Sequence, residues 1–160
     1  MRTRTLRCAT VIAVFGALFG IRSAAQGTDP IIGTWVLNVA KSKFSPGPAP
    51  KSESRTYVMA GQEIKATSTG VGGDGKPTAG EWTIVNDGRD TAMTGNPDAD
   101  VLSLKRTDAF STEFTLKKAG KVVITGTRTI SRDGKVMTIT NKGTNAKGQT
   151  INDVLVFEKR

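Results

Sequence analysis

Residues 110–140 read FSTEFTLKKAGKVVITGTRTISRDGKVMTIT. Phe114 and Leu116 alternate with Glu113, Thr115 and Lys117. Val122 and Ile124 lead into Thr127, Arg128 and Ile130, and Met137 and Ile139 alternate with Val136, Thr138 and Thr140. This period of two places one set of side chains inside and the other in water, as on a half-buried strand. Ala119-Gly120 and Asp133-Gly134 interrupt the alternation. Asp-Gly suits a two-residue reversal, because both positions tolerate positive φ. The segment therefore predicts three antiparallel strands, 110–118, 121–131 and 135–142, joined by tight turns.

The same grammar extends in both directions. Trp35, Leu37 and Val39 alternate with Thr34, Val36 and Asn38. Further strands are predicted at 53–60, 62–70, 79–86, 90–94, 100–106 and 149–158. Turns are expected at Ala60-Gly61, Asp74-Gly75, Asp87-Gly88, Asn96-Pro97 and Lys147-Gly148. Nowhere do apolar residues recur at helical spacing. Pro46, Pro48 and Pro50 exclude a helix or an inner strand between Lys41 and Lys51, so that segment is expected to be an extended loop. Short strands at about ten-residue spacing predict an all-β antiparallel up-and-down β-barrel of eight to ten strands, occupying residues 26–160 as one domain. The inner face includes Met59 and Val122 with the aromatic and aliphatic alternates. Val123, Val154 and Val156 fall on the other face, which predicts either an N-terminal segment packed outside or a partner surface.

Residues 1–25 follow a different pattern. Arg2, Arg4 and Arg7 precede an apolar run from Cys8 to Ile21, and Ser23-Ala24-Ala25 follow. A charged start, an apolar middle and a small-residue exit are the features of a secretory signal peptide. The apolar run is shorter than the ~20 residues of a spanning helix. Cleavage before Gln26 is expected, with export to the periplasm or the outside of the cell. Of 23 basic residues, Arg2, Arg4, Arg7 and Arg22 would leave with the peptide; 19 remain against 14 acidic ones, a net +5. The one Cys leaves as well, so no disulfide is available and the domain depends on its core.

Composition narrows the chemistry. The chain has no His, which removes most metal sites and the Ser-His-Asp triad. Gly72-Gly73-Asp74-Gly75 lacks the Lys-Ser/Thr of a phosphate loop and precedes no helix. Glu81 and Glu113 alternate with apolar neighbours and are expected to face water, so no catalytic residue is assigned and the protein is expected not to be an enzyme. No metal and no cofactor is expected. The basic clusters, such as Lys117-Lys118 with Lys121, carry no interleaved aromatic residues. They are expected to guard strand edges rather than to bind nucleic acid. A monomer is expected.

Gly33-Thr34-Trp35, opening the first strand, resembles the Gly-x-Trp signature of the calycin superfamily, the lipocalins and fatty-acid-binding proteins. Val154-Leu155-Val156-Phe157-Glu158-Lys159 resembles the closing strand of fatty-acid-binding proteins. The segment from Gly33 through Pro48 is also similar to a group of small exported bacterial proteins of unassigned function. The calycin resemblance implies a barrel with an internal ligand. It departs from the fatty-acid-binding pattern at two places. The proline loop stands where that family has a helix pair, and Leu155 and Phe157 stand where it has an Arg-x-Tyr clamp.

The expected function is sequestration or carriage of a small hydrophobic or amphipathic ligand inside the barrel. Its expected walls are Trp35, Tyr57, Trp82, Leu104, Phe114 and Phe157. Trp35 and the other aromatic residues equally suit plain core packing. Arg128 is in phase with Ile124 and Ile130. Facing inward, it would be a polar hook for an anionic group; a bulge at Gly126 would turn it outward. Arg55 is expected at a strand end on the surface. The alternative expectation is a surface interaction or inhibitor protein with a packed core, touching its partner through the loop at 45–50.

Overall fold

A computed structural model describes residues 29–160. The signal-peptide reading of residues 1–25 lies outside the described residues. Ten strands form a closed antiparallel barrel: β1 (Gly33–Leu37), β2 (Ser52–Ala60), β3 (Glu63–Val71), β4 (Pro77–Ile84), β5 (Asp87–Thr94), β6 (Val101–Arg106), β7 (Ser111–Lys118), β8 (Lys121–Ile130), β9 (Val136–Thr144) and β10 (Thr150–Lys159). Each strand pairs with its sequence neighbour, and β1 closes the ring by pairing with both β2 and β10. Closure removes the free edges that a sheet would otherwise expose to other chains. One turn of 3-10 helix, Val39–Lys41, follows β1. Among the described residues, no helix is long and apolar enough to cross a membrane.

All ten predicted strands are present, with two local differences. The reversal before β5 falls at Val85-Asn86 rather than at Asp87-Gly88, so β5 begins at Asp87. Asn86 takes the left-handed φ of 52°, which asparagine tolerates better than most residues. An irregularity between Asp87 and Asp90 absorbs the extra residues. The second difference is in β8. Leu116 pairs with Ile124, but Lys117 pairs with Val122, so Val123 is the extra residue of a bulge. Val123 packs against the core, and Val122 is 57% exposed. This corrects the inward assignment of Val122. Met59 is corrected too: it continues the phase of Tyr57 but stands at the rim, half exposed.

The barrel interior divides along its axis. At the end carrying the β2–β3, β4–β5 and β8–β9 turns, Ile31, Trp35, Ile64, Ile84, Ile130, Met137 and Phe157 form a solid apolar floor. The chain before β1 is part of that floor. Ile31 is fully buried, and its carbonyl accepts a 2.7 Å hydrogen bond from Trp35 Nε1. Asp29 pairs with Arg106 across the same end. At the other end the proline loop packs against the β3–β4 turn. A side chain at Gly73 would come within 2.6 Å of Pro48. The chain from Asn38 to Ser45 runs along β10 beyond the end of β1, where Lys43 and Val154 exchange hydrogen bonds of 2.7 and 2.9 Å. Val154 and Val156 are half-buried on the strand whose edge this segment continues.

Candidate functional site

Above the floor the barrel is not filled. A cavity of about 300 Å³ extends from Tyr57 and Arg128 to the mouth, where Pro50, Gly72, Asn96 and Pro97 border it. That volume is at the lower end of the ~300–1,000 Å³ typical of small-molecule sites. Alternation on each strand makes its walls. Leu102 and Leu104 from β6, Phe114 and Leu116 from β7 and Ile139 from β9 form an apolar side, with Met93 from β5 beside them. Ser52, Glu53, Arg55 and Tyr57 from β2 and Ser68 from β3 form a polar side. Trp82 on β4 lies between the two, its ring edge-on to Tyr57 at 6.1 Å between centroids.

Small residues make room for these walls. Gly126 on β8 faces Phe114 on β7, and a Cβ there would lie 1.9 Å from the Thr140 carbonyl and 2.5 Å from Phe114 Cζ. The glycine allows the phenyl ring to lie against the strand backbone. It does not bulge: the register runs unbroken from Phe114↔Gly126 to Thr112↔Arg128, and on the other side from Gly126↔Asn141 to Arg128↔Ile139. Arg128 therefore keeps the inward phase of Ile124 and Ile130 and is only 6% exposed.

Arg128 has little to hold its charge. Its Nη2 donates to Thr112 Oγ1 at 3.1 Å, and it forms no ion pair among the described residues. A guanidinium has five donors and no way to shed its charge at ordinary pH. Burial pulls its pKa below the ordinary arginine value, the Tyr57 phenol and Asp29 oppose that, and Arg106 and Arg55 add to it. Arg128 is among the residues that line the cavity.

Contrary to the expectation from the sequence, Arg55 lies not at a strand end on the surface but within β2, facing the interior. Its side chain is 20% exposed and lines the cavity. The guanidinium lies 4.7 Å from the Phe157 ring centroid and 5.6 Å from that of Trp82, within reach of cation–π attraction. Its Nε donates to Glu53 Oε1 at 2.6 Å. Burial pulls the Arg55 pKa down, but the Glu53 carboxylate and the Tyr57 phenol more than offset it and hold the pKa above its ordinary value. Glu53, Arg55 and Tyr57 share one face of β2, so the alternation that places Tyr57 inside is the signal that places Arg55 and Glu53 there as well.

Of the residues expected as walls, Tyr57, Trp82, Leu104, Phe114 and Arg128 meet at the cavity. Trp35 and Phe157 do not border it. Both are fully buried in the floor beneath, with Phe157 covered by Arg55 and Trp35 by Lys159, whose Nζ lies 5.1 Å from the indole centroid. Glu81 and Glu113 are exposed on separate strands, β4 and β7.

No protein-family model and no curated protein matches this sequence. Solved structures do match in shape. A redesigned beta barrel aligns at 12% identity over 82% of this chain and 92% of its own, with a TM-score of 0.47. The crystal structure of Rv2717c from M. tuberculosis aligns at 13% identity over 82% of this chain and 93% of its own, with a TM-score of 0.52. At that identity the likeness to Rv2717c is one of fold: the chain folds as an antiparallel barrel similar to it.

Proposed function

We propose that this protein is an exported container for one small amphipathic ligand, with the apolar body held in the barrel and an acidic group held by Arg128. The observation that carries this reading is the buried Arg128 guanidinium, which borders a cavity, has one hydrogen bond to Thr112 and has no carboxylate partner among the described residues. An uncompensated buried cation is costly, and an anion entering beside it recovers that cost. The apolar wall of Leu102, Leu104, Phe114 and Leu116 supplies the hydrophobic part of the attraction. The resemblance of Gly33-Thr34-Trp35 to the calycin signature supports the same reading, and export rests on the pattern of residues 1–25. The alternative, an interaction protein with a packed core, has the cavity against it; Pro50 of the proline loop borders the cavity mouth.

The test is a native mass spectrum of the protein recovered from the exported fraction, beside a denatured spectrum of the same sample. Extra mass that disappears on denaturation is the expected result. A bare mass, with no uptake from a lipid and metabolite extract, overturns the reading.

A further inference from the structure

The loops around the mouth are fastened differently. The proline loop is held along its length. The Ser45 amide donates to Asp153 Oδ1 at 2.8 Å, the Asn152 amide donates to the Ser45 carbonyl at 2.9 Å, and Pro48 packs against Gly73. Residues 95–100, between β5 and β6, are held at their two ends. Gly95 lies so close to the Ala79 carbonyl of β4 that a Cβ would not fit between them. At the other end the Asp100 amide donates to the Lys117 carbonyl at 3.0 Å, and Asp100 Oδ2 accepts from the Ala119 amide at 3.2 Å. Between these anchors, residues 96–99 make one hydrogen bond to the rest of the barrel among the described residues: Asp98 Oδ1 accepts from the Ala146 amide at 2.7 Å.

That bond reaches across the mouth. Ala146 belongs to the turn between β9 and β10. In a ring of ten strands, the β5–β6 and β9–β10 connections stand four strand positions apart, nearly opposite each other. The bond between them therefore lies over the opening and not along its rim. The segment keeps its own shape, because the Asp98 amide donates to Asn96 Oδ1 at 2.9 Å. Asn96 and Pro97 border the cavity, and Ala99 is buried in the core cluster.

Resting on the container reading, we propose that residues 96–99 are a strap over the mouth and that the Asp98 carboxylate is its latch. The ligand passes between the strap and the opposite rim of Pro50 and Gly72. The proline loop is the fixed side of this passage, and the strap is the side that moves. A carboxylate on a backbone amide is a charge-assisted hydrogen bond, stronger than a neutral one. Breaking it frees a short segment between fixed ends and opens no strand ladder. The latch closes over the empty and the filled cavity alike, so it sets the rate of ligand exchange and not the affinity.

Decanoate, with an apolar body and one acid group, is the probe. Its entry into and release from mature protein freed of bound lipid are followed by tryptophan emission, since Trp82 lines the cavity. Asp98→Ala is expected to speed both steps about tenfold and to change the dissociation constant less than about twofold. Asp98→Asn keeps an acceptor in place and is expected to exchange ligand nearly as the parent does. The double variant Asp98→Cys, Ala146→Cys locks the strap when oxidised glutathione joins the two thiols; the sequence has no other cysteine beyond Cys8. Exchange is expected to stop in the disulfide form and to return with dithiothreitol. Parent-like rates in either Asp98→Ala or the disulfide form overturn the strap and leave the container standing. Absence of decanoate binding by the parent, with a bare native mass and no uptake from extract, removes the container and the strap together.

Discussion

Three residues carry loads that single substitutions expose. Gly126 is the first. Its missing side chain is the space between the Thr140 carbonyl and the Phe114 ring, and a backbone oxygen at 1.9 Å cannot rotate away. Gly126→Ala is expected to lower stability by about 1–3 kcal/mol, read as a lower urea midpoint with an unchanged slope. Trp35 is the second. Its indole nitrogen ties Ile31 into the floor, and its ring is fully buried. Trp35→Phe removes the donor and part of the ring and leaves the Ile31 carbonyl without it. A loss of about 1–3 kcal/mol is expected in the same titration. Arg128 goes the other way. With no ligand present, Arg128→Met replaces a buried, unmatched cation by an apolar chain and is expected to stabilise the protein by about 1–4 kcal/mol. A thermal midpoint lower than that of the ligand-free parent would show that the folded state depends on the guanidinium.

Among the elements, the seam between β4 and β5 stands apart. Its ladder has two registered pairs, Glu81↔Thr94 and Trp82↔Met93, whereas β9 and β10 share nine. Gly80 and Gly95 let the backbones approach closely at one end of that seam; a Cβ on Gly95 would lie 1.8 Å from the Ala79 carbonyl. At the other end, the left-handed Asn86 leads into the irregular start of β5. Local opening follows the number of ladder bonds that must break together. Amide hydrogens of Asp87–Thr94 are therefore expected to exchange faster than those of Val136–Thr144. Uniform protection around the ring would show that closure makes all strands one cooperative unit. Asn96 and Pro97, which follow β5, border the cavity mouth, so opening at this seam would also widen the path to the interior.

For the whole molecule, the absence of histidine has a direct consequence for acid stability. No side chain of ordinary pKa titrates between pH 5 and 8 here. Among the described residues, four carboxyls are held below their usual values. Asp74 is lowered first by the Lys76 amide, Asp108 by the Phe110 amide, Asp133 by the Ser131 hydroxyl and Glu158 by the Lys41 ammonium. A depressed folded-state pKa contributes stability that is present above the unfolded value and is lost as pH falls through the folded one. Asp153 works in reverse: burial raises it, against hydrogen bonds from the Ser45 amide and Asn141. Stability is expected to stay level from pH 8 to about 5 and to fall below about 4, measured as the urea midpoint against pH. A decline beginning near pH 6 would contradict this assignment.

Strand number, strand order and the identity of most inward residues were legible in the sequence, because a period of two and Gly-containing turns are local properties. Tyr57, Trp82, Leu104 and Phe114 could be placed on the inner face on that basis, and all four border the cavity. Three matters needed the closed barrel. The bulge at Val123 moves Val122 to the surface, and its position depends on how β7 and β8 pair. Arg55 faces inward with Tyr57, but what its charge meets there is set across the ring: Trp82 comes from β4 and Phe157 from β10. Whether the aromatic residues fill the interior or line a space also rests on packing. Trp35 and Phe157 descend into the floor with Ile31, and the volume above them stays open. Alternation says which way a side chain points; only the distances across the ring decide what it meets.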